Sequence, residues 1–196
     1  MPGRELTIKK YNLDLYDPYE TDGPFEMPVI KKTLHIPKKL IGFNEAISSK
    51  NYQAGIHMFI DDYQFERIWN TPERYVNILK QYDCILTPDF SLYMDMPRAM
   101  KVWNIYRSRL IGQYLQNLGI CVIPTVSWAE RETYTFCFDG IEPGGVVAIS
   151  TIGCIKDEFA RSIWEDGVDY MIDKLKPAAI LIYGQSIEHD FKGTKV

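Results

Sequence analysis

No stretch of the chain is apolar for long enough to cross a bilayer, and the N-terminal MPGRELTIKK is charged where a secretory leader is apolar. The expected compartment is therefore the cytoplasm. Cysteine is sparse: Cys84, Cys121, Cys137 and Cys154 stand far apart with no CxxC pair. That spacing speaks against a zinc knuckle, a redox dithiol or a small disulfide scaffold, and it lacks the cysteine cluster that radical iron–sulfur chemistry uses in its usual form. The three histidines, His35, His57 and His189, show no metal-ligand spacing. There is no GxGxxG, no GK[ST] and no GxSxG, so the common dinucleotide, P-loop and nucleophile-elbow chemistries have no foothold. Basic charge is not in excess either. With 22 Lys and Arg against 26 Asp and Glu, the net charge is -4, the wrong sign for coating nucleic acid indiscriminately.

What is present is rhythm. The 196 residues suit one hydrophobic core, and the 46% hydrophobic share is that of an ordinary folded domain. Residues 1–28 are read as an irregular arm, rich in Pro, Asp and Tyr over YNLDLYDPYETDGPFEMP and packed across the body by its aromatics. Residues 29–185 form the α/β domain, and 186–196 a polar tail. Within the domain, LIGFN, GIHMFID, CILTPD, ICVIPT, VVAIST and AAILIYG are short apolar runs without alternation, as expected for strands covered on both faces. Amphipathic segments lie between them. Thr71-Pro72 opens one helix, Pro97 a long one ended by Gly119, and a third carries Phe159 to Leu175 before Pro177. Strands alternating with helices predict βα units around a mostly parallel sheet of about six strands. Periodicity leaves two arrangements open, an incomplete (β/α) barrel and an open doubly wound sheet. The Asn44 to Gly55 connection is short for a crossover helix in either.

In parallel α/β folds, ligands bind where the strands end, so the polar residues at those ends are the candidate site. Asp61, Asp62 and Asp89, with Glu130 nearby, have the oxygen donors that bind Mg²⁺ or Mn²⁺, the ions used for phosphodiester cleavage. The same positions also suit helix capping by Asp62 and an Asx turn at Asp89 after Pro88. Glu130 is the further candidate for acid–base work. STIGC places Ser150, Thr151 and Gly153 between a strand and a helix, a setting for backbone N–H groups to face a phosphate. Asp157 and Glu158 in the next turn would compete with it. Cys154 there is a weak nucleophile candidate, since no histidine is close in sequence. Trp128 offers a face to a base, or alternatively a lid to the core. Arg98 and Lys101, in the first turns of the helix after Pro97, are the cations placed to hold a phosphate. Arg107, about 15 Å along that helix, lies beyond reach. Asn44, Ser91 and Tyr183 complete the set of strand-end groups.

HMFIDDYQFERIWNTPERY, LTPDFSLYMDMP, NIYRSRLIGQYLQNLGICVIPTVSW and VVAISTIGC together resemble a family known as domain of unknown function 4417, over roughly Leu40 to Gly184. The resemblance implies a phage or mobile-element protein acting in the host cytoplasm. It implies no activity, so no residue inherits a role. Two function classes stand: binding or processing of a nucleotide or nucleic acid at the strand ends, and a non-catalytic protein that binds a host protein or sequesters a small nucleotide. The 13% aromatic content suits the second as well as the first.

Overall fold

The computed structural model describes residues 2–196. Its centre is a four-stranded parallel sheet in the order β3 (Leu40–Gly42), β4 (Gly55–His57), β5 (Ile85–Leu86) and β6 (Val122–Ile123). A second parallel pair, β7 (Val146–Ser150) and β8 (Ala179–Tyr183), follows it. The single ladder of about six strands expected from the sequence is thus divided in two. Pro124, directly after β6, has no N–H to give, and the two sheets meet through one parallel bridge at Thr125 and Ala148. Around that bridge Ala148 N–H donates to Pro124 and Val126 N–H donates to Ala148, at 2.9 and 2.8 Å.

Three helices fall where the periodicity puts them, α3 (Pro72–Leu79), α4 (Arg98–Asn117) and α5 (Glu158–Leu175), and a further one, α2 (Asp62–Asn70), directly precedes α3. Pro72 occupies the first turn of α3, Gly119 takes φ +81° just past α4, and Asp157 caps α5 by accepting the Ala160 N–H at 2.9 Å. Only a 3₁₀ turn, Phe43–Glu45, lies between β3 and β4, which nonetheless pair in parallel.

Strand residues alternate between two cores. One parity, including Ile56, Ile85, Val122, Val147 and Ile180, packs outward on the helices. The other gathers Phe59, Leu86, Ile123, Ala148 and Ala179, with Leu40 against them, into one inner cluster fed from β3 through β8 or the residues beside them. Tyr183 at the end of β8 stacks on Phe59 just past β4, with ring centroids 5.0 Å apart, so the sheets curl toward each other across this face.

Helix α4 is buried on more faces than its apolar stripe suggests. Arg109, fully buried, donates to the backbone oxygens of Asp139, Thr125 and Cys137 at 3.0, 3.1 and 2.7 Å, tying α4 to three separate loop positions. The N-terminal arm also differs from its irregular reading. It contains α1 (Pro2–Lys10) and a small antiparallel pair, β1 (Thr21–Asp22) with β2 (Met27–Pro28). It is pinned to the body by Asn12 donating to Trp69 and Gln113 donating to Glu20, both at 2.7 Å. The polar tail is likewise fixed, since Ile187 is buried and Lys195 bridges Ala179.

Candidate functional site

The segments following β4, β5, β6 and β7 enclose one cleft of about 1090 Å³. Parallel strands send their following loops to the same edge, and chain positions far apart meet there. Of the residues singled out in the sequence, Asp61, Asp62, Asp89, Ser91, Trp128, Ser150 and Gly153 line this cleft. Asn44, Arg98, Lys101, Glu130, Thr151 and Tyr183 do not.

Asp62 is the first residue of α2, where a carboxylate is favoured by the helix dipole. It does not cap its own helix. Instead it accepts the Ser91 N–H at 3.2 Å and the Ser91 hydroxyl at 2.8 Å. Ser91 is held from behind, because its carbonyl accepts from Asn104 at 2.7 Å. Asn104 in turn accepts from Arg107 at 2.7 Å, and Arg107 pairs with Glu66 at 2.7 Å while lying 3.7 Å over the Phe90 ring. Arg107 does not line the cleft, although it lies close enough for the charge of Asp62 to act on it. Its part is to fix the loop that presents Ser91 to Asp62.

Asp89 sits beside Asp62. Burial, joined by the negative charge of Asp62 and opposed by the Ser127 hydroxyl, pushes its carboxyl up to about 7. A carboxyl poised there can hold or release a proton near neutral pH. Asp61 stands exposed at the rim and takes one long bond, 3.4 Å, from Gln64. The three aspartates do not bring three oxygens within 4.8 Å of one another. The residues lining the cleft include three carboxylates and no Lys, Arg or His.

Trp128 is half-buried against α5. Its indole N–H donates to Ile163 at 3.2 Å, and Gly167 makes room for it, since a Cβ there would stand 2.0 Å from Nε1. Lining and packing are thus combined in one ring. Two aromatics not anticipated as ligands, Tyr63 and Tyr93, line the rim at 79% and 62% exposure. Their signal was adjacency: each lies within two residues of Asp62 or Ser91. Ser127, next to Trp128, gains its role only through Asp89.

The loop after β7 is partly self-satisfied. The Ser150 hydroxyl accepts the Ile152 N–H at 3.1 Å, and the buried Thr151 hydroxyl donates to Gln185 at 2.8 Å. The α5 N-terminus is capped by Asp157, which occupies the place a phosphate would take. Burial pushes the Cys154 thiol up, opposite to what a nucleophile needs.

The remaining candidates are engaged elsewhere. Fully buried Lys101 donates to both oxygens of Glu130 at 2.6 Å and to the Met94 carbonyl at 3.1 Å. Burial works to raise Glu130, but the hydrogen bond and charge of Lys101, a backbone N–H and the nearby Arg98 outweigh it and hold the carboxyl below its ordinary value. Arg98 donates to the Thr135 hydroxyl at 2.9 Å, and Asn44 stands exposed in the 3₁₀ turn after β3. His57, buried beside Tyr183 at 4.4 Å, accepts the Phe59 N–H and is pushed down to about 4 by burial, so it stays neutral at physiological pH.

No helix among the described residues is long and apolar enough to cross a membrane. No solved structure matches the chain. The chain is similar to the Gene 1 protein of Mycobacterium phage L5, 41% identical over 177 residues covering 88% of this chain and 77% of that protein. It is also similar to the Gene 1 protein of Mycobacterium phage D29, 39% identical over 177 residues covering 88% of this chain and 65% of that one. The model of domain of unknown function 4417 matches residues 19–196, and the chain, curled sheet and acidic cleft included, belongs to that family.

Proposed function

We propose that the cleft binds a nucleotide or a nucleic-acid strand together with Mg²⁺ or Mn²⁺, and that phosphodiester chemistry takes place there. The observation that carries this is the Asp62–Asp89 pair in a cleft whose lining offers no basic side chain. Burial raises Asp89 most, and the charge of Asp62 opposes its ionisation further, a repulsion between adjacent carboxylates. A phosphate entering alone would add to that repulsion. The available donors, carboxylates beside the Ser91 and Ser127 hydroxyls, are hard oxygens suited to Mg²⁺ or Mn²⁺. Such an ion, when bound, neutralises phosphate charge and polarises the reacting phosphorus centre. Tyr63, Tyr93 and Trp128 supply faces for a base, and Asp89 is placed to take a proton from attacking water. Six strands curled into an incomplete barrel account for the convergence, supported by the Thr125–Ala148 bridge, the shared inner cluster and the Phe59–Tyr183 stack. The phage proteins it resembles make the host cytoplasm the expected place of action.

Calorimetric titration of nucleotides and short single strands, with and without Mn²⁺, tests the binding step, and a strand-cleavage assay tests turnover. Binding should require the cation and should fall at least about tenfold, roughly 1.4 kcal/mol, in Asp62→Asn and Asp89→Asn. Equal affinity in the presence of a chelator would refute the proposal. Cation-dependent binding without turnover would favour the second reading, a non-catalytic protein that sequesters a nucleotide or binds a host protein. That reading has its own support in a separate apolar groove formed by Tyr11, Leu13, Phe25, Trp103 and Tyr106.

A further inference from the structure

At the opposite edge, where the strands begin, a second set of side chains converges. The segment from Thr33 to Lys39 crosses this end of the molecule. It leaves β7, where the Thr33 carbonyl accepts the Val146 N–H at 2.7 Å, and reaches β4, where the Lys39 carbonyl accepts the Gly55 N–H at 2.8 Å. On the way, Thr33 Oγ1 lies 3.7 Å from Cys121 Sγ and His35 Nε2 lies 2.7 Å from Asp83 Oδ2. Among the described residues, His35, Asp83 and Cys84 form the one group of three ligand-type side chains whose donor atoms all lie within 4.8 Å of one another.

Cys84 and Cys121 immediately precede the paired residues Ile85 and Val122, so they are neighbours across the parallel ladder, and both contribute to the inner face. Gly55, the next strand over, leaves space for sulfur: a Cβ there would come within 2.7 Å of Cys84 Sγ. The geometry points to a structural site for a borderline-soft divalent cation, Zn²⁺ foremost, held by His35, Asp83 and Cys84, with Cys121, which stands outside that 4.8 Å group, completing the set once its side chain turns toward it. One thiolate or two, one imidazole and one carboxylate are a donor set that zinc takes tetrahedrally, and one that Mg²⁺ does not favour. The cation would staple the crossing segment to β5 and β6, closing the amino end of the inner face. On binding, each ligating thiol exchanges its S–H bond for a sulfur–metal bond and its proton leaves to solvent. No electron moves. The site is independent of the acidic cleft, which lies at the other end of the strands.

Sequence spacing gave no sign of it, because the four ligands come from three separate segments and no CxxC marks them.

The test is Co²⁺ titration of the full chain, read by absorption, with metal content of the purified protein measured by elemental analysis. The expected result is one tetrahedral cobalt per chain marked by thiolate-to-metal charge-transfer absorption and tetrahedral ligand-field bands, apart from any cobalt held by oxygen ligands in the cleft. Zn²⁺ should displace it. Cys84→Ala should weaken the charge-transfer absorption, and Cys84→Ala combined with Cys121→Ala should abolish it. Because Cys84 is buried, His35→Ala provides the variant that need not disturb packing. It should weaken Co²⁺ binding by more than the about 10- to 100-fold that loss of an outer-shell partner costs. Asp89→Asn, in the cleft, should leave the cobalt spectrum unchanged. A complete lack of thiolate absorption at saturating cobalt, or absorption that is untouched by both Cys84→Ala and His35→Ala, would overturn the assignment.

Discussion

Asp89→Asn tests the acidic cleft through stability alone, without any ligand. The carboxyl moves from the ordinary 3.8 to about 7 on folding. Below pH 3.8 it is neutral in both states and contributes no pH dependence. Between 3.8 and 7 the unfolded chain releases the proton while the folded protein still holds it, so stability falls as pH rises through this window. Above 7 the loss is complete and level. A separation of roughly three pH units, at about 1.36 kcal/mol each, sets a ceiling of about 4 kcal/mol. The side chain is only partly covered, and solvent reaching it reduces the expected effect to about 2 kcal/mol. Asparagine keeps the shape and carries no charge at any pH. The variant should therefore gain about 2 kcal/mol over the parent at pH 8 and only about 0.5 kcal/mol at pH 4.5, measured by urea unfolding followed through tryptophan fluorescence. Mn²⁺ should narrow the difference at pH 8 by stabilising the parent. A constant difference between parent and variant across pH 4.5 to 8 would refute the Asp62–Asp89 pairing and the cleft chemistry built on it.

Arg109→Met leaves the carbonyls of Asp139, Thr125 and Cys137 buried without their donor, and should cost at least about 3 kcal/mol of unfolding free energy in the same urea assay. Lys101→Met isolates Glu130 and should cost about 2 kcal/mol, whereas Lys101→Met with Glu130→Gln should recover much of that loss in a double-mutant cycle. Gly167→Ala intrudes on Trp128 and should shift its fluorescence and weaken ligand binding at the cleft several-fold while secondary structure by circular dichroism stays unchanged.

The helices and parallel strands were legible because their signals are local. Pro72 and Pro97 mark helix starts, Gly119 a helix end, and unbroken apolar runs mark strands covered on both sides. The break between the two sheets was not legible, although Pro124 stood in the text. Its missing N–H limits pairing only because β7 lies next to it, and adjacency is a tertiary fact. The same holds for the arm. Residues 2–10 carry little apolar periodicity, which hid α1, and the aromatic and proline content of the stretch after it hid the short antiparallel pair that returns the chain to α4. Arg109 was invisible for the opposite reason. An arginine in an amphipathic helix reads as surface, and nothing in the sequence announces three carbonyls waiting for it.

The edge rule brings Asp62, Asp89, Ser91, Trp128, Ser150 and Gly153 to the cleft, but strand-end position alone does not decide: Asn44 follows the edge strand β3, Thr151 is buried on Gln185 and Tyr183 stacks on Phe59, so none of these three lines it. Arg98 and Lys101 depend on where the segment after β5 delivers the start of α4, and that segment carries them past the cleft. Lys101 then meets Glu130, 29 positions away in sequence. The cation offered to a phosphate and the carboxylate offered as an acid or base neutralise each other, so both leave the cleft together. What remains around Asp62 and Asp89 is negative charge that Arg107 offsets only from behind the Ser91 loop, with no basic side chain on the lining itself. A neutral ligand could ignore that charge, but a phosphate could not. The counter-charge for such a ligand has to arrive from solution, and cation dependence is therefore the property by which a nucleotide-binding cleft of this composition is recognised.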